Sequence, residues 1–198
     1  AETTGSEGGA GEENDAACYE RMRESVETVS TAGPLGGYEY YAKSASALIA
    51  DVKATSPEPG KVDVRVLLVG GALPEKEMLD TVAGILSADN VRPLTDYVTV
   101  QAPETVEYDI DVTYYTQEGG ALSDEVISEN VAAAVQKFKT WQAERMGRDV
   151  NPSYLIQLLM EAGVKRVEVR SPAFTTVADN AVAQIGETSI VNGGAESE

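Results

Sequence analysis

Three carboxylates at alternate positions are the first candidates for chemistry in this sequence. Glu107, Asp109 and Asp111 lie two residues apart in the segment TVEYDIDVTYYT. A pair of carboxyl groups is sufficient for glycoside hydrolysis, and several oxygen ligands together can hold Ca²⁺. The alternating positions from Val106 to Tyr114 are apolar, which is typical of a strand with one buried and one solvated face. We therefore interpret the carboxylates as a solvated acidic strand face, with weak calcium binding and a carboxylate-based hydrolase as alternatives.

The composition excludes most other catalytic devices. The 198 residues include no histidine and one cysteine, Cys18, so there is no His-based triad, His-ligated zinc or multi-cysteine metal site. Cys18 shares the apolar face of a predicted helix with Met22 and Val26, and we interpret it as a buried hydrophobe. The glycine pairs lack the spacing of phosphate-binding loops and are predicted to be turns. The sequence thus predicts no catalytic residue, no metal ligand and no cofactor, and hence no enzyme.

The charge distribution limits the possible partners. Acidic residues outnumber basic ones by 33 to 15, a net charge of −18, so a nucleic-acid-binding face is not expected. No apolar stretch is long enough to cross a membrane. Residues 1–20 carry six acids and no base, and residues 179–198 carry four acids and no base. Because such segments have little to bury, we expect disordered tails at 1–14 and 193–198.

The longest predicted helix, residues 123–146, provides a candidate interface. It would be about 36 Å long, which is longer than one small sheet. Its apolar stripe includes Phe138 and Trp141, which either meet another subunit or close the core of the chain itself. Four basic residues lie on this helix or just beyond it: Lys137, Lys139, Arg145 and Arg148. They are either a solvated helix face or a docking site for an acidic partner, and we take Phe138, Trp141, Lys137 and Arg145 as the candidate interface residues.

The order of the predicted elements indicates the fold class. Helices are predicted at 15–30, 37–47, from Pro74, at 123–146 and after Asn151, and strands at 49–56, 62–69, 97–102, 105–116, 164–170 and 188–191. Such interleaving favours an α+β fold with antiparallel or mixed sheets and helices packed on one face. We expect two small sub-domains, a helical and β-hairpin unit at 15–103 and a β-α-α-β-β unit at 104–192, each similar to part of a split βαβ sandwich.

One segment resembles a known family. DNVRPLTDYVTVQAPETVEYDIDVTYY (89–115) is similar to the middle of the baseplate J-like proteins of contractile phage tails and prophage tail-like particles. Four further blocks match that family in order, at 8–22, 30–42, 56–67 and 147–172. The most specific element consists of Val91, Arg92, Pro93, Leu94, Thr95 and Asp96. We interpret it as a segment whose backbone geometry leads into a strand, because Pro93 favours extended geometry in the preceding residue. The alternative is an interface element.

The resemblance implies a structural function rather than catalysis. It covers about the C-terminal two-thirds of family members, so we expect a further N-terminal portion in a longer protein. It implies a baseplate wedge protein that contacts other wedge proteins, in a virion or tail-like particle assembled in the bacterial cytoplasm. Self-association is expected as a two-fold dimer, the commonest closed symmetry, within a ring. The alternative class is an acidic adhesion domain, with Tyr40, Tyr41 and Tyr115 as candidate exposed aromatic residues.

Overall fold

The computed structural model describes residues 34–88 and 96–197, which contain two three-stranded sheets. Several predictions lie outside these residues: the tail at 1–14, the helix at 15–30 with Cys18, and the motif positions from Val91 to Thr95. Within them the fold is α+β with mixed sheets, as predicted. The sub-domain division between residues 103 and 104 stays a prediction.

The first sheet is built on a hairpin. Its elements are helix α1 (Pro34–Ser44), strands β1 (Ile49–Glu58) and β2 (Lys61–Leu68), a short 3₁₀ turn (Val69–Gly71), helix α2 (Lys76–Leu86) and strand β3 (Tyr97–Gln101). β2 is central, antiparallel to β1 and parallel to β3. Val62, Val64 and Val66 of β2 are buried in one apolar cluster with residues of both helices. This burial explains the valine at every second position from 62 to 66, with Asp63 and Arg65 between them on the other face.

The second sheet carries the longest helix. Its elements are β4 (Glu104–Gln117), α3 (Asp124–Ala143), α4 (Pro152–Glu161), β5 (Arg166–Ser171) and β6 (Ala181–Glu196). β4 is central, antiparallel to β5 and parallel to β6. Both helices begin at a side-chain cap: the side chain of Ser123 accepts a hydrogen bond from Val126 N–H, and that of Asn151 accepts one from Ser153 N–H. α3 ends three residues earlier than predicted, with Glu144 as its C-terminal cap.

The apolar face of β4 forms the centre of the second core. Tyr108, Ile110, Val112 and Tyr114 are buried there, as the alternation predicts. Phe138 of α3 is fully buried against them and meets the Tyr108 ring edge-on, with ring centroids 6.1 Å apart. Helix α3 is therefore held on one face of the sheet by aromatic packing.

The last strand corrects two predictions. We expected a weak strand at 188–191 and a disordered tail from 193, but β6 runs for 16 residues to Glu196 and follows β4 as far as Gln117. The physical reason is a long-range contact: the backbone of β4 forms the hydrogen-bonded ladder with this segment, although the segment itself has little apolar pattern. Its end is also fixed by side chains: Arg166 Nη2 lies 2.6 Å from Glu196 Oε1, and this hydrogen bond lowers the pKa of the Glu196 carboxyl.

Burial of Tyr108 predicts a loss of stability at high pH. Desolvation raises the pKa of Tyr108 from 10.0 to about 12 in the folded chain. Between these values the unfolded chain loses the phenol proton while the folded chain keeps it, so stability is complete below pH 10 and falls as pH rises toward 12. The full loss is about 2–3 kcal/mol. Urea unfolding at pH 8 and pH 11 should show a smaller decrease for Tyr108→Phe than for the unchanged chain; equal decreases would contradict the assignment.

Candidate interaction surface

The two sheets meet at a small apolar joint. Leu67 at the end of β2, Met146 after α3 and Val182 of β6 form a cluster in which none is more than 2% exposed. Polar contacts surround this joint. Met146 N–H donates to Asp51 Oδ2 at 3.0 Å, and Gln184 Nε2 donates to the carbonyl of Gly71 at 3.2 Å. The joint therefore orders the segment between α3 and α4 relative to the first sheet.

A cleft of about 270 Å³ opens beside the joint. Its walls come from β1 and from the segment after α3, with one residue from the loop before β6. The lining residues are Lys53, Arg145, Met146, Gly147, Arg148 and Asp179. Three cations and one carboxylate thus face the same space, in a chain whose net charge is −18. This concentration of positive charge is the reverse of the chain's overall balance.

The guanidinium of Arg148 is held in place by α3. It lies 4.2 Å from the centroid of the Trp141 ring and donates a hydrogen bond to the Trp141 carbonyl. Gln142 Nε2 in turn donates to the carbonyl of Arg148 at 2.7 Å. Burial lowers the pKa of Arg148 and the neighbouring charge of Arg145 lowers it further, while the carboxylates of Glu144 and Asp51 act in the opposite direction. Two guanidinium groups that repel each other are stabilised by an anion placed between them, and a stacked, pre-ordered arginine loses little entropy on binding one.

The three cations of the cleft have no ion pair with a carboxylate of the described residues. The same is true of Lys137 and Lys139 on α3 and of Lys165, whose ammonium group donates to the carbonyls of Glu196 and Ser197. Elsewhere the pairs are Lys61–Glu58, Arg65–Asp63, Lys76–Asp80, Arg166–Glu196 and Arg170–Asp111. Unpaired cations on an acidic chain favour an acidic docking partner, because such a partner supplies the missing charge.

The predicted interface residues differ in how far they are buried. Phe138 is 0% exposed in the core, so its prediction as an interface residue is wrong, because its ring packs against Tyr108, Trp141 and Tyr154. Trp141 is half-buried and packs on Tyr154, with ring centroids 4.4 Å apart. Arg145 lines the cleft and Lys137 is exposed on α3. Sequence reasoning missed Lys53, since only the fold brings β1 beside the end of α3.

The β4 carboxylates form local contacts. Glu107 and Asp109 are exposed, as predicted, and Asp109 Oδ1 accepts a hydrogen bond from Glu187 N–H at 2.8 Å. Asp111 pairs with Arg170 at 3.2 Å. Thr113, the next residue on this side of β4, is buried, and Arg170 Nη2 donates to its hydroxyl at 3.0 Å. In the described ranges, no group of three or more His, Cys, Asp or Glu side chains could hold a metal ion.

The remaining candidate residues serve the fold. Asp96, the last residue of the family motif, accepts a hydrogen bond at 3.0 Å from the hydroxyl of Tyr38 in α1. Tyr40 and Tyr41 pack edge-on with ring centroids 5.6 Å apart. Tyr115 is half-buried, and the guanidinium carbon of Arg166 lies 3.8 Å from the centroid of the Tyr115 ring. No helix in the described part of the chain has the length and apolarity to cross a membrane.

The two mixed sheets define an α+β protein with a cationic cleft at their joint. Two family models match its sequence, the baseplate J-like central domain at residues 30–102 and the baseplate J-like protein C-terminal domain at residues 108–191. The chain belongs to the baseplate J-like family, as the sequence resemblance predicted.

Individual relatives agree with this assignment. Baseplate protein J of Escherichia phage P2 is 34% identical over 181 residues, which cover 89% of this chain and 58% of that protein. The chain therefore spans little more than half the length of this relative. Among solved structures, a chain in the six-fold symmetrised cryo-EM structure of the anti-feeding prophage baseplate has the same fold. It matches with a TM-score of 0.60 and 14% identity, over 87% of this chain and 42% of that chain.

Proposed function

We propose that this chain is a structural component of a contractile-tail baseplate and acts through contacts with neighbouring baseplate proteins. The observation that carries the proposal is the cleft at the joint, where Lys53, Arg145 and Arg148 converge without ion-paired carboxylates of the described residues. Membership of the baseplate J-like family supplies the setting. The partner surface is acidic, and the chain acts without catalysis, in several copies within a ring that assembles in the bacterial cytoplasm.

The cleft is suited to a protein partner rather than to a free small anion. Its cations come from two separate segments, β1 and the end of α3, so an extended carboxylate-bearing surface can engage both at once. Arg148 is already ordered on Trp141, which reduces the entropy lost on docking. Charged residues arranged in this way steer association and give specificity, as required of a part that must take one place in a larger assembly.

Charge reversal at the cleft tests the proposal. We expect Lys53→Glu combined with Arg145→Glu to weaken binding to the proteins encoded by the neighbouring tail genes by at least tenfold, since each reversal replaces attraction by repulsion. The matched control combines Lys61→Glu with Lys76→Glu, which changes the net charge equally at two exposed cations outside the cleft. Binding would be measured by surface plasmon resonance at several salt concentrations. Equal losses in both double variants would contradict a role for the cleft.

A further inference from the structure

The connection between the two sheets is small compared with their separate cores. Each sheet has its own apolar cluster, and the cluster between them consists, among the described residues, of Leu67, Met146 and Val182. Along the chain, Ala102 and Pro103 alone separate β3 from β4. An interface between two units of one chain restricts their relative motion when it is large and apolar. This small joint therefore leaves the two sheets able to move relative to each other.

The cationic cleft spans this joint. Lys53 lines it from β1 of the first sheet, whereas Arg145, Arg148 and Asp179 belong to the part of the chain that carries the second sheet. Met146 lines the cleft and is also one of the three residues of the joint cluster. A group bound in the cleft therefore lies against the joint and between the two sheets.

One hydrogen bond reports on the state of the joint. Met146 N–H donates to Asp51 Oδ2 at 3.0 Å, and Asp51 lies two residues before Lys53 in β1. Alternate residues of a strand lie on the same face, so Asp51 and Lys53 share the face of β1 that meets the joint. Movement of β1 away from the end of α3 breaks this bond and separates Lys53 from the cations on the other side. Exchange of the Met146 amide therefore measures opening of the joint.

The charges of the cleft are divided between its two sides. Its lining residues are three cations against one carboxylate, Asp179, an excess of two positive charges. The guanidinium of Arg148 is fixed over the Trp141 ring, so that side of the cleft is already ordered. An anionic group that contacts Lys53 and Arg148 together is attracted to both sides through charge-assisted hydrogen bonds. Such a group pulls the two sheets toward each other.

We propose that the cleft is an electrostatic clamp: an acidic partner that docks there fixes the two sheets in one relative orientation. The occupant is a carboxylate-bearing segment of a neighbouring baseplate protein. Because this segment meets the cations of both sides only when the joint is closed, its binding shifts the joint toward the closed form. This inference rests on the proposed function and adds a conformational consequence of docking.

A single substitution tests the clamp without any partner. Lys53→Glu places a carboxylate in the cleft with Arg145 and Arg148, so the chain itself supplies the bridging anion. We expect exchange of the Met146 amide to slow by about threefold, the effect of one weak ion pair. Lys61→Glu is the matched control, since it makes the same substitution in the first sheet at an exposed lysine outside the cleft. It should leave exchange at Met146 unchanged.

Two comparisons make this result specific. Exchange at Met146 is measured relative to the amides of the buried strand β2, which removes any change in global stability. Equal or faster relative exchange in the Lys53→Glu chain than in the unchanged chain would overturn the clamp. An equal slowing in the Lys61→Glu chain would also overturn it, because the effect would then come from net charge and not from the cleft.

An acidic polymer tests the effect of docking itself. Saturation of the unchanged chain with poly-L-glutamate should slow exchange at Met146 by about tenfold, and the double variant Lys53→Glu with Arg145→Glu should show no such response. Binding of the polymer at the cleft without slower exchange refutes the clamp and leaves the proposed function intact. If neither the polymer nor the neighbouring tail proteins bind, the proposed function is wrong, and the Lys53→Glu comparison decides the clamp separately.

Discussion

Phe138→Ala is expected to lower the free energy of unfolding by about 3–5 kcal/mol, the usual range for removing a fully buried phenylalanine. The ring is 0% exposed and lies 6.1 to 6.2 Å, centroid to centroid, from Tyr108, Trp141 and Tyr154. Its loss would leave a cavity at the point where α3, α4 and β4 meet. Urea unfolding followed by the fluorescence of Trp141, the one tryptophan in the chain, reports on this region directly.

The chain contains its own control for this experiment. Phe174 is the other phenylalanine and is 60% exposed, so Phe174→Ala should change the unfolding free energy by less than about 0.5 kcal/mol. A small effect at Phe138, with a loss of self-association instead, would restore Phe138 to the interface and show that the core assignment is wrong.

The second large effect is expected at the joint, from Gly71→Val. Gly71 has φ of +78°, and a Cβ built on it would lie 2.5 Å from Ala143 Cβ and 2.8 Å from the Ala143 carbonyl oxygen. A side chain therefore incurs backbone strain of about 1–3 kcal/mol and also pushes the end of α3 away. We expect the Leu67–Met146–Val182 cluster to open, with at least a tenfold faster exchange of the Met146 amide, which donates to Asp51 in the intact joint.

The neighbouring glycine separates the two causes. Gly70 has nearly the same backbone angle, φ of +75°, but a Cβ there would have nothing within 4 Å. Gly70→Val therefore imposes similar strain without the collision, and the difference between the two variants measures the contact with Ala143. If both variants accelerate exchange at Met146 equally, the close approach of the 3₁₀ turn to α3 does not hold the joint.

Docking at the cleft uses charges on Lys53, Arg145 and Arg148, so binding to an acidic partner should weaken as salt screens them.

Features that depend on local periodicity and on helix-capping residues are predictable from the sequence. The alternation of β4 placed Tyr108, Ile110 and Val112 on the buried face, and Ser123 and Asn151 identified the starts of α3 and α4. These features are recoverable because a strand or helix buries residues at a fixed spacing and a cap bonds backbone groups within three residues of it. The sequence blocks that match in order also predict the family, and the matches to the two family models confirm this prediction.

Features that join distant segments depend on the packing of the whole chain and are not predictable from local sequence. β6 is four times longer than its apolar pattern predicts, because ladder bonds to β4 order the polar and glycine-rich residues up to Glu196. The cleft requires Lys53 of β1 to lie near Arg145 and Arg148, and no local spacing in the sequence predicts this proximity. Phe138 is core rather than surface because Tyr108 of β4 and Tyr154 of α4 pack against its ring. Each of these features depends on contacts between segments that are far apart in the sequence, and such contacts form only when the whole chain packs.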